Sequence, residues 1–166
     1  MSQSLLIRPA VAADVAALGR LGAALARQHA EYDPGRYHLP ADVEAAYRAQ
    51  FVEHIGRAGS VVIVAESRSA VIGYAFGLIE QPCFVSLTGR AGWIHDLYVL
   101  PDARGLGAGG KLLDAAIAGL RAIGCPGGVL LAVAAQNAAG AALFQKRGFR
   151  PSLQEMTLGP WPEEGV

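Results

Sequence analysis

The amino-acid sequence predicts an α+β domain: a mixed, largely antiparallel sheet flanked by helices. Three observations carry that expectation. The 166 residues are 52% hydrophobic and only 17% charged, one domain's worth of chain with ample apolar material for a core. Three β-rich runs, at 61–65, 71–79 and 93–100, follow one another with only turns between them, as hairpins do. A glycine-rich bend, a helical pattern, a short apolar run and a second helical pattern come next, which reads as strand–helix units. Residues 1–166 are therefore expected to form a single domain in the order β-α-α-β-β-β-α-β-α-β.

Leu5 to Arg8 is the expected first strand, stopped by Pro9. Asp14 can cap or charge-stabilise a helix whose apolar residues fall at Val15, Leu18, Leu21 and Leu25, a helical spacing. His29 to Pro40 is polar and broken by Pro34-Gly35 and Pro40, which predicts a loop. A second helix is expected from about Ala41 to Ile55, ending near Gly56 or Gly59. Val61 to Ala65 and Val71 to Ile79 are strands bounded by turn residues. Thr88 to Gly92 is a turn, and Trp93 to Leu100 a strand ended by Pro101-Asp102. The helix after the glycine-rich bend is expected to bury Leu106, Leu113, Ile117 and Leu120. Val129 to Val133 is then a strand and Asn137 to Arg147 a short helix stopped by Gly148, with Phe149 to Leu158 as the last strand.

Fourteen basic and fourteen acidic residues leave no net charge, so no global attraction to a polyanion or a membrane surface is implied. No aromatic-plus-basic array points to nucleic acid. The N-terminal residues lack a secretion leader. The longest uncharged run, Ala122 to Gln145, is interrupted by Pro126-Gly127-Gly128 and Gln136-Asn137, which argues against a membrane span. Two cysteines, Cys83 and Cys125, cannot build a disulfide scaffold or a metal site and fit a reducing compartment. The reading is a cytoplasmic protein that uses no metal.

Most chemical information lies in Arg104-Gly105-Leu106-Gly107-Ala108-Gly109-Gly110-Lys111-Leu112. Glycine inside a helix costs roughly 0.5–1 kcal/mol relative to alanine, so the cluster needs a reason. One reason is a cramped helix–sheet contact. The other is close approach of an anion to bare N–H groups at the positive end of the helix dipole, with Arg104 adding charge. Gly105-x-Gly107-x-x-Gly110 matches a dinucleotide pattern, but no acidic residue follows about twenty positions on. A P-loop would need Ser or Thr where Leu112 stands.

Arg104-x-x-Gly107-x-Gly109, directly after the strand ending Leu97-Tyr98-Val99-Leu100-Pro101, resembles the acyl-CoA pyrophosphate loop of the GNAT superfamily of N-acetyltransferases. A second block, Asn137-x-x-Gly140-x-x-Leu143-Phe144-x-Lys146-x-Gly148-Phe149, resembles that superfamily's Asn…Ala…Leu-Tyr-x-Lys-x-Gly-Phe signature. Ile7-Arg8-Pro9 with Asp14 is similar to its entry strand and first helix. The resemblance runs from about Leu5 to Leu158. It implies acetyl-CoA as cosubstrate and acetyl transfer to an amine of a small molecule by direct attack in a ternary complex. Leu97, Tyr98 and Val99 would pair with the pantetheine arm through their backbone. Gly105, Leu106, Gly107, Ala108, Gly109 and Gly110 would hold the pyrophosphate, with Arg104 beside them. Asn137 would bond the pantetheine, and Phe144 and Lys146 belong to the same cofactor-binding block. Similar domains are often dimers.

An ammonium acceptor needs a base, since amines of the lysine type have a pKa around 10.4. His95 is the first candidate: related transferases carry a glutamate or histidine at this place, and imidazole suits the task. Asp96 is next, as a carboxylate that orients the acceptor or as the base itself. A structural histidine and an ordinary salt bridge are the plain alternatives for the pair. Phe144 stands where the family usually has a tyrosine general acid, so that tyrosine's proton is missing. Glu31, Tyr32, Asp33 and Tyr37 fall where the resemblance places acceptor-binding residues, although a polar surface loop would look the same. Residues 31–100 hold five basic against eight acidic residues and 101–150 six against two, which suits a cationic acceptor beside a polyanionic cofactor. The rival readings are a non-catalytic acyl-CoA-binding or sensor domain, and acetylation of a protein amine.

Overall fold

The computed structural model describes residues 5–159. One sheet contains β1 (Leu5–Pro9), β2 (Ser60–Ser67), β3 (Ala70–Glu80), β4 (Ala91–Val99) and β5 (Val129–Leu131), lying side by side in that order. The first four strands are mutually antiparallel, and β5 joins β4 in parallel. α1 (Val15–Tyr32) and α2 (Val43–His54) connect β1 to β2, α3 (Ala108–Ala122) connects β4 to β5, and α4 (Ala138–Lys146) follows β5. The expected α+β architecture is present.

Apolar side chains fill both faces of the sheet. Val61, Ile63 and Ala65 of β2 join Ala75, Ile94 and Val99 beneath Leu112, Leu113, Ala116 and Leu120 of α3 and Phe144 of α4. Val62 and Val64 point the other way, with Tyr74, Phe76 and Tyr98, under Leu18, Leu21, Leu25 and Phe51 of the first two helices. The alternation follows the two-residue period of a strand. A strand covered on both faces is apolar throughout, hence the unbroken Val61–Ala65 run.

Two glycines let α1 and α2 approach closely. A Cβ at Gly22 would stand 2.2 Å from Cδ1 of Tyr47, and one at Gly19 would stand 2.5 Å from Cγ of Arg48. The entry of the chain is tied by Arg8, whose guanidinium donates to both carboxylate oxygens of buried Asp14 (2.7 and 3.0 Å) and to Glu66 (2.8 Å). Asp14 also accepts from the Val11 N–H. The neighbouring guanidinium therefore holds the Asp14 carboxyl below its ordinary pKa.

Three expectations need correction. α1 runs on through Tyr32, so His29, Glu31 and Tyr32 are helical and the loop begins at Asp33. Pro34 is the first residue that a helix could not accommodate there. Leu106 precedes α3 and is 49% exposed rather than part of its buried face. Phe149 to Leu158 forms no strand among the described residues, and Leu153, Met156 and Leu158 are exposed. Pro151 removes a donor at its start, and the three residues of β5 offer only a short edge to pair with.

Candidate functional site

The site begins where the sheet opens. β5 pairs with β4 only over Gly92↔Val129, Trp93↔Leu130 and Ile94↔Leu131. Beyond Ile94, β4 continues to Val99 paired with β3 alone. Leu97, Tyr98 and Val99 thus lie along an edge that no longer faces a partner strand. Their side chains serve the core: Leu97 and Val99 toward α3, Tyr98 toward α1 and α2. Only their backbone is available to the notch between the strands, and the Val99 carbonyl already accepts from Arg104 Nε at 3.1 Å.

At the head of this notch β4 carries a bulge. The ladder pairs Phe76 with Asp96 and Gly77 with Ile94, leaving His95 as the extra residue. An inserted residue breaks the strict alternation of side chains. Ile94 enters the α3-side core, whereas His95 and Asp96 both turn toward the α1–α2 side. The His95 ring lies 5.9 Å from that of Phe76 and is stacked on Trp93 at 6.1 Å. Its Nε2 stands 2.8 Å from Oε1 of Glu80. With Nε2–H donated to Glu80, a neutral His95 keeps its lone pair on Nδ1.

Asp96 lies deeper. Tyr74, fully buried, donates its hydroxyl to Asp96 Oδ2 at 3.0 Å. Burial pushes the Asp96 carboxyl up from 3.8 to about 6, against the opposing pull of the Tyr74 hydroxyl and of His95. Burial, and then the Asp96 charge, hold the phenols of Tyr74 and Tyr47 well above their ordinary range.

The glycine cluster divides into two kinds. Gly105 (φ +83°) and Gly107 (φ +78°) adopt left-handed backbone in the bend before α3, and a Cβ at either would meet open space. The Lys111 N–H donates to the Gly107 carbonyl at 3.2 Å, so the N–H groups ahead of it stand at the uncapped start of the helix. Ala108, by contrast, is buried, and Gly109 is in ordinary contact range of Leu143. A Cβ on Gly110 would come within 2.3 Å of the Arg147 guanidinium, which pairs with Asp114. The bend glycines therefore answer to left-handed backbone with open space beside it, and Gly109 to its contact with Leu143. Arg104 turns away from the bend: besides Val99 it donates to Gln28 Oε1 at 3.2 Å and lies 5.8 Å from the Tyr98 ring.

Asn137 caps α4, its Oδ1 accepting from the Gly140 N–H at 2.9 Å. Phe144 is buried edge-on against Phe149, and Lys146 is exposed in the last turn of α4.

An open cleft of about 500 Å³ lies between the end of α1 and the start of α2. His29, Arg36, Tyr37, His38, Tyr47 and Gln50 are among its lining residues. Of the four residues expected to bind an acceptor, only Tyr37 lines it. Tyr32 stands behind, its ring 6.4 Å from that of His29 and its hydroxyl accepting from Gln28. Asp33 is occupied as a turn former, accepting from the Gly35 and Arg36 N–H groups, and Glu31 is exposed. Tyr47 lines the cleft and packs on Phe51, whose ring meets that of Tyr74, the donor to Asp96. Glu80, Tyr74, Tyr47 and Arg36 carry no local motif; only their partners across the fold mark them. Among the described residues no group of three or more His, Cys, Asp or Glu could hold a metal ion, and no helix is long and apolar enough to cross a membrane.

The acetyltransferase (GNAT) family model matches residues 24–149. The uncharacterized N-acetyltransferase YhfO of Bacillus subtilis (strain 168) is 35% identical over 114 residues, covering 66% of this chain and 66% of that protein, just under two thirds of its length. Among solved structures, a mutant of the BH1408 protein from Bacillus halodurans superposes with a TM-score of 0.79 at 21% identity, covering 94% of this chain and 99% of that one. A predicted acetyltransferase from Clostridium acetobutylicum, solved with acetyl-CoA, superposes with a TM-score of 0.71 at 20% identity, covering 94% of this chain and 96% of that one. At these identities the structural likeness concerns the fold.

Proposed function

We propose that this chain, which belongs to the GNAT family of acetyltransferases, moves the acetyl group of acetyl-CoA to a primary amine of a small molecule by direct attack in a ternary complex. One observation carries the reading: the bulge that turns His95 and Asp96 to the same side of β4, at the point where β4 parts from β5. A pantetheine arm laid along Leu97–Val99 would bring a thioester beside them. The open left-handed bend at Gly105 and Gly107, with unpaired N–H groups at the start of a fifteen-residue helix, suits a diphosphate. Asn137, already engaged as a cap, would lend at most its Nδ2 to the cofactor. A single domain over residues 1–166 is part of the same proposal.

In this scheme the Asp96 carboxylate attracts the acceptor ammonium. His95, set by Glu80 with Nδ1 free, first takes a proton from the ammonium, and the freed amine attacks the acetyl carbon. The C–S bond then breaks, CoA leaves as a thiolate, and the nitrogen's second proton passes through water to that thiolate. An aliphatic thiol has a pKa of about 8.5, so departure without the tyrosine that Phe144 replaces is chemically reasonable. The absence of any acid at Phe144 also supports the second reading, a domain that binds acyl-CoA without turning it over. Thiol release from acetyl-CoA with a panel of amines, alongside the shift in melting temperature that acetyl-CoA produces, separates the two. Amine-dependent release is the expected result. Binding without release by any amine supports the second reading, and the lack of any shift contradicts both.

A further inference from the structure

We infer that the acceptor is an amine with an aromatic body and a carboxylate, its ring held in the α1–α2 cleft and its carboxylate taken by Arg36 in place of Glu155. The inference deepens the proposed acetyl transfer and rests on it in one respect, that the cleft serves the acceptor.

The walls of the cleft are rings. His29 stacks on Tyr37 with centroids 5.0 Å apart and planes 19° from parallel, and His38 and Tyr47 add two more. Burial holds the His29 imidazole below its ordinary pKa, toward the neutral form. Flat aromatic walls around about 500 Å³ suit one planar ring system.

The charges exclude a polycation. No carboxylate lines the cleft among the described residues. Of the acidic side chains near it, Asp33 is engaged in its turn, Asp42 as the cap of α2, Glu44 with Arg48 and Glu155 with Arg36, while Glu31 is exposed on α1 outside the lining. The eight acidic residues of 31–100, which suggested a cationic acceptor, therefore do not converge on this surface. The one permanent charge on the lining is positive. Arg36 lies with Cζ 5.1 Å from the centre of the Tyr37 ring, at the edge of the aromatic wall.

Arg36 already shows how it would hold a carboxylate. Its Nε donates to Glu155 Oε1 and its terminal nitrogen to Oε2, the two-pronged geometry that guanidinium favours. Glu155 comes from the unpaired segment after α4 and is 63% exposed. An exposed pair of this kind contributes little to stability, so an incoming carboxylate can displace it. On its inner side Tyr47 packs on Phe51 and Phe51 on Tyr74, which donates to Asp96 its only side-chain hydrogen bond among the described residues. The acceptor ammonium has its counter-charge there.

The test is calorimetric binding of two matched pairs, phenylalanine against phenethylamine and 4-(aminomethyl)benzoate against benzylamine, with spermidine as the polycation. In at least one pair the carboxylate should bind about tenfold tighter or more, and spermidine should bind more weakly than that acid. Arg36→Gln should erase the preference, weakening the acid about tenfold more than the carboxylate-free amine. Arg36→Lys should restore part of it, and Glu155→Gln should tighten the acid. Unchanged melting temperatures verify that these surface variants fold. Tighter binding of spermidine, equal binding within both pairs, or equal losses for acid and amine in Arg36→Gln would overturn the inference. Because binding is read without acetyl-CoA, failure of acetyl transfer shows up separately, as acid binding without thiol release.

Discussion

Replacing Asp96 by Asn should make the protein more stable at neutral and alkaline pH while impairing acceptor use. The carboxyl titrates at about 6 in the folded chain against 3.8 ordinarily. Between those values the folded state holds the proton that the unfolded chain has released, so stability falls as pH rises through the window. A shift of about 2 units corresponds to about 3 kcal/mol, fully absent as stabilisation above the folded value and fully present below the unfolded one. Asn keeps an acceptor for the Tyr74 hydroxyl and carries no charge. Its amide donors gain no evident partner, a loss of about 1 kcal/mol at any pH, which leaves a net gain of about 2 kcal/mol at pH 8 and a net loss of up to about 1 kcal/mol at pH 4. Urea unfolding of both proteins at the two pH values measures the difference. kcat/KM for the acceptor should fall in the same variant, because the ammonium loses its counter-charge. A stability difference that is the same at pH 4 and pH 8 would refute the argument that a buried charge is retained here at a cost.

His95→Ala should lower turnover by roughly 10²–10⁴-fold and change its pH dependence; an unchanged pH profile of kcat/KM would remove His95 from proton transfer. Gly107→Val forces a β-branched residue to φ +78°, with a strain of about 1–2 kcal/mol, and its side chain enters the space above the bend. CoA affinity measured by calorimetry should drop, whereas Gly110→Ala, whose Cβ meets only the far end of the Arg147 side chain, should leave melting temperature unchanged or higher with less effect on CoA. Gly22→Ala should displace Tyr47, destabilising by about 1–3 kcal/mol despite the better helix former. It should raise the acceptor KM and leave that of acetyl-CoA alone; equal changes in both would contradict the assignment of the cleft.

The framework was legible because its signals are local. Val61–Ala65, Val71–Ile79 and the Pro101 stop mark strands by residue type, and Leu18, Leu21 and Leu25 mark a helix by spacing. The glycine cluster was legible as a bend before a helix, but not in its division, since what a side chain at Gly109 or Gly110 would meet is Leu143 or Arg147, more than thirty positions on. The bulge at His95 has no signature in its own strand: it exists through the register with β3, and it alone turns two consecutive residues to one side. Asp96 reads as an ordinary surface acid until Tyr74, two strand positions from its own partner Phe76, covers it. Tyr32 and Asp33 stood where the resemblance places acceptor-binding residues; one belongs to the last turn of α1 and the other closes the turn after it. Phe149–Leu158 has strand-like residues, yet strand formation needs a partner edge, which a segment's own residues do not reveal.

The most direct test of the account is a crystal structure with CoA. It should show the diphosphate against the main-chain N–H groups of residues 105–110 and the pantetheine along Leu97–Val99, with the sulfur beside His95 and Asp96. CoA bound elsewhere, or a Gly105–Gly107 bend closed by inward-packed side chains with no diphosphate on it, would contradict it.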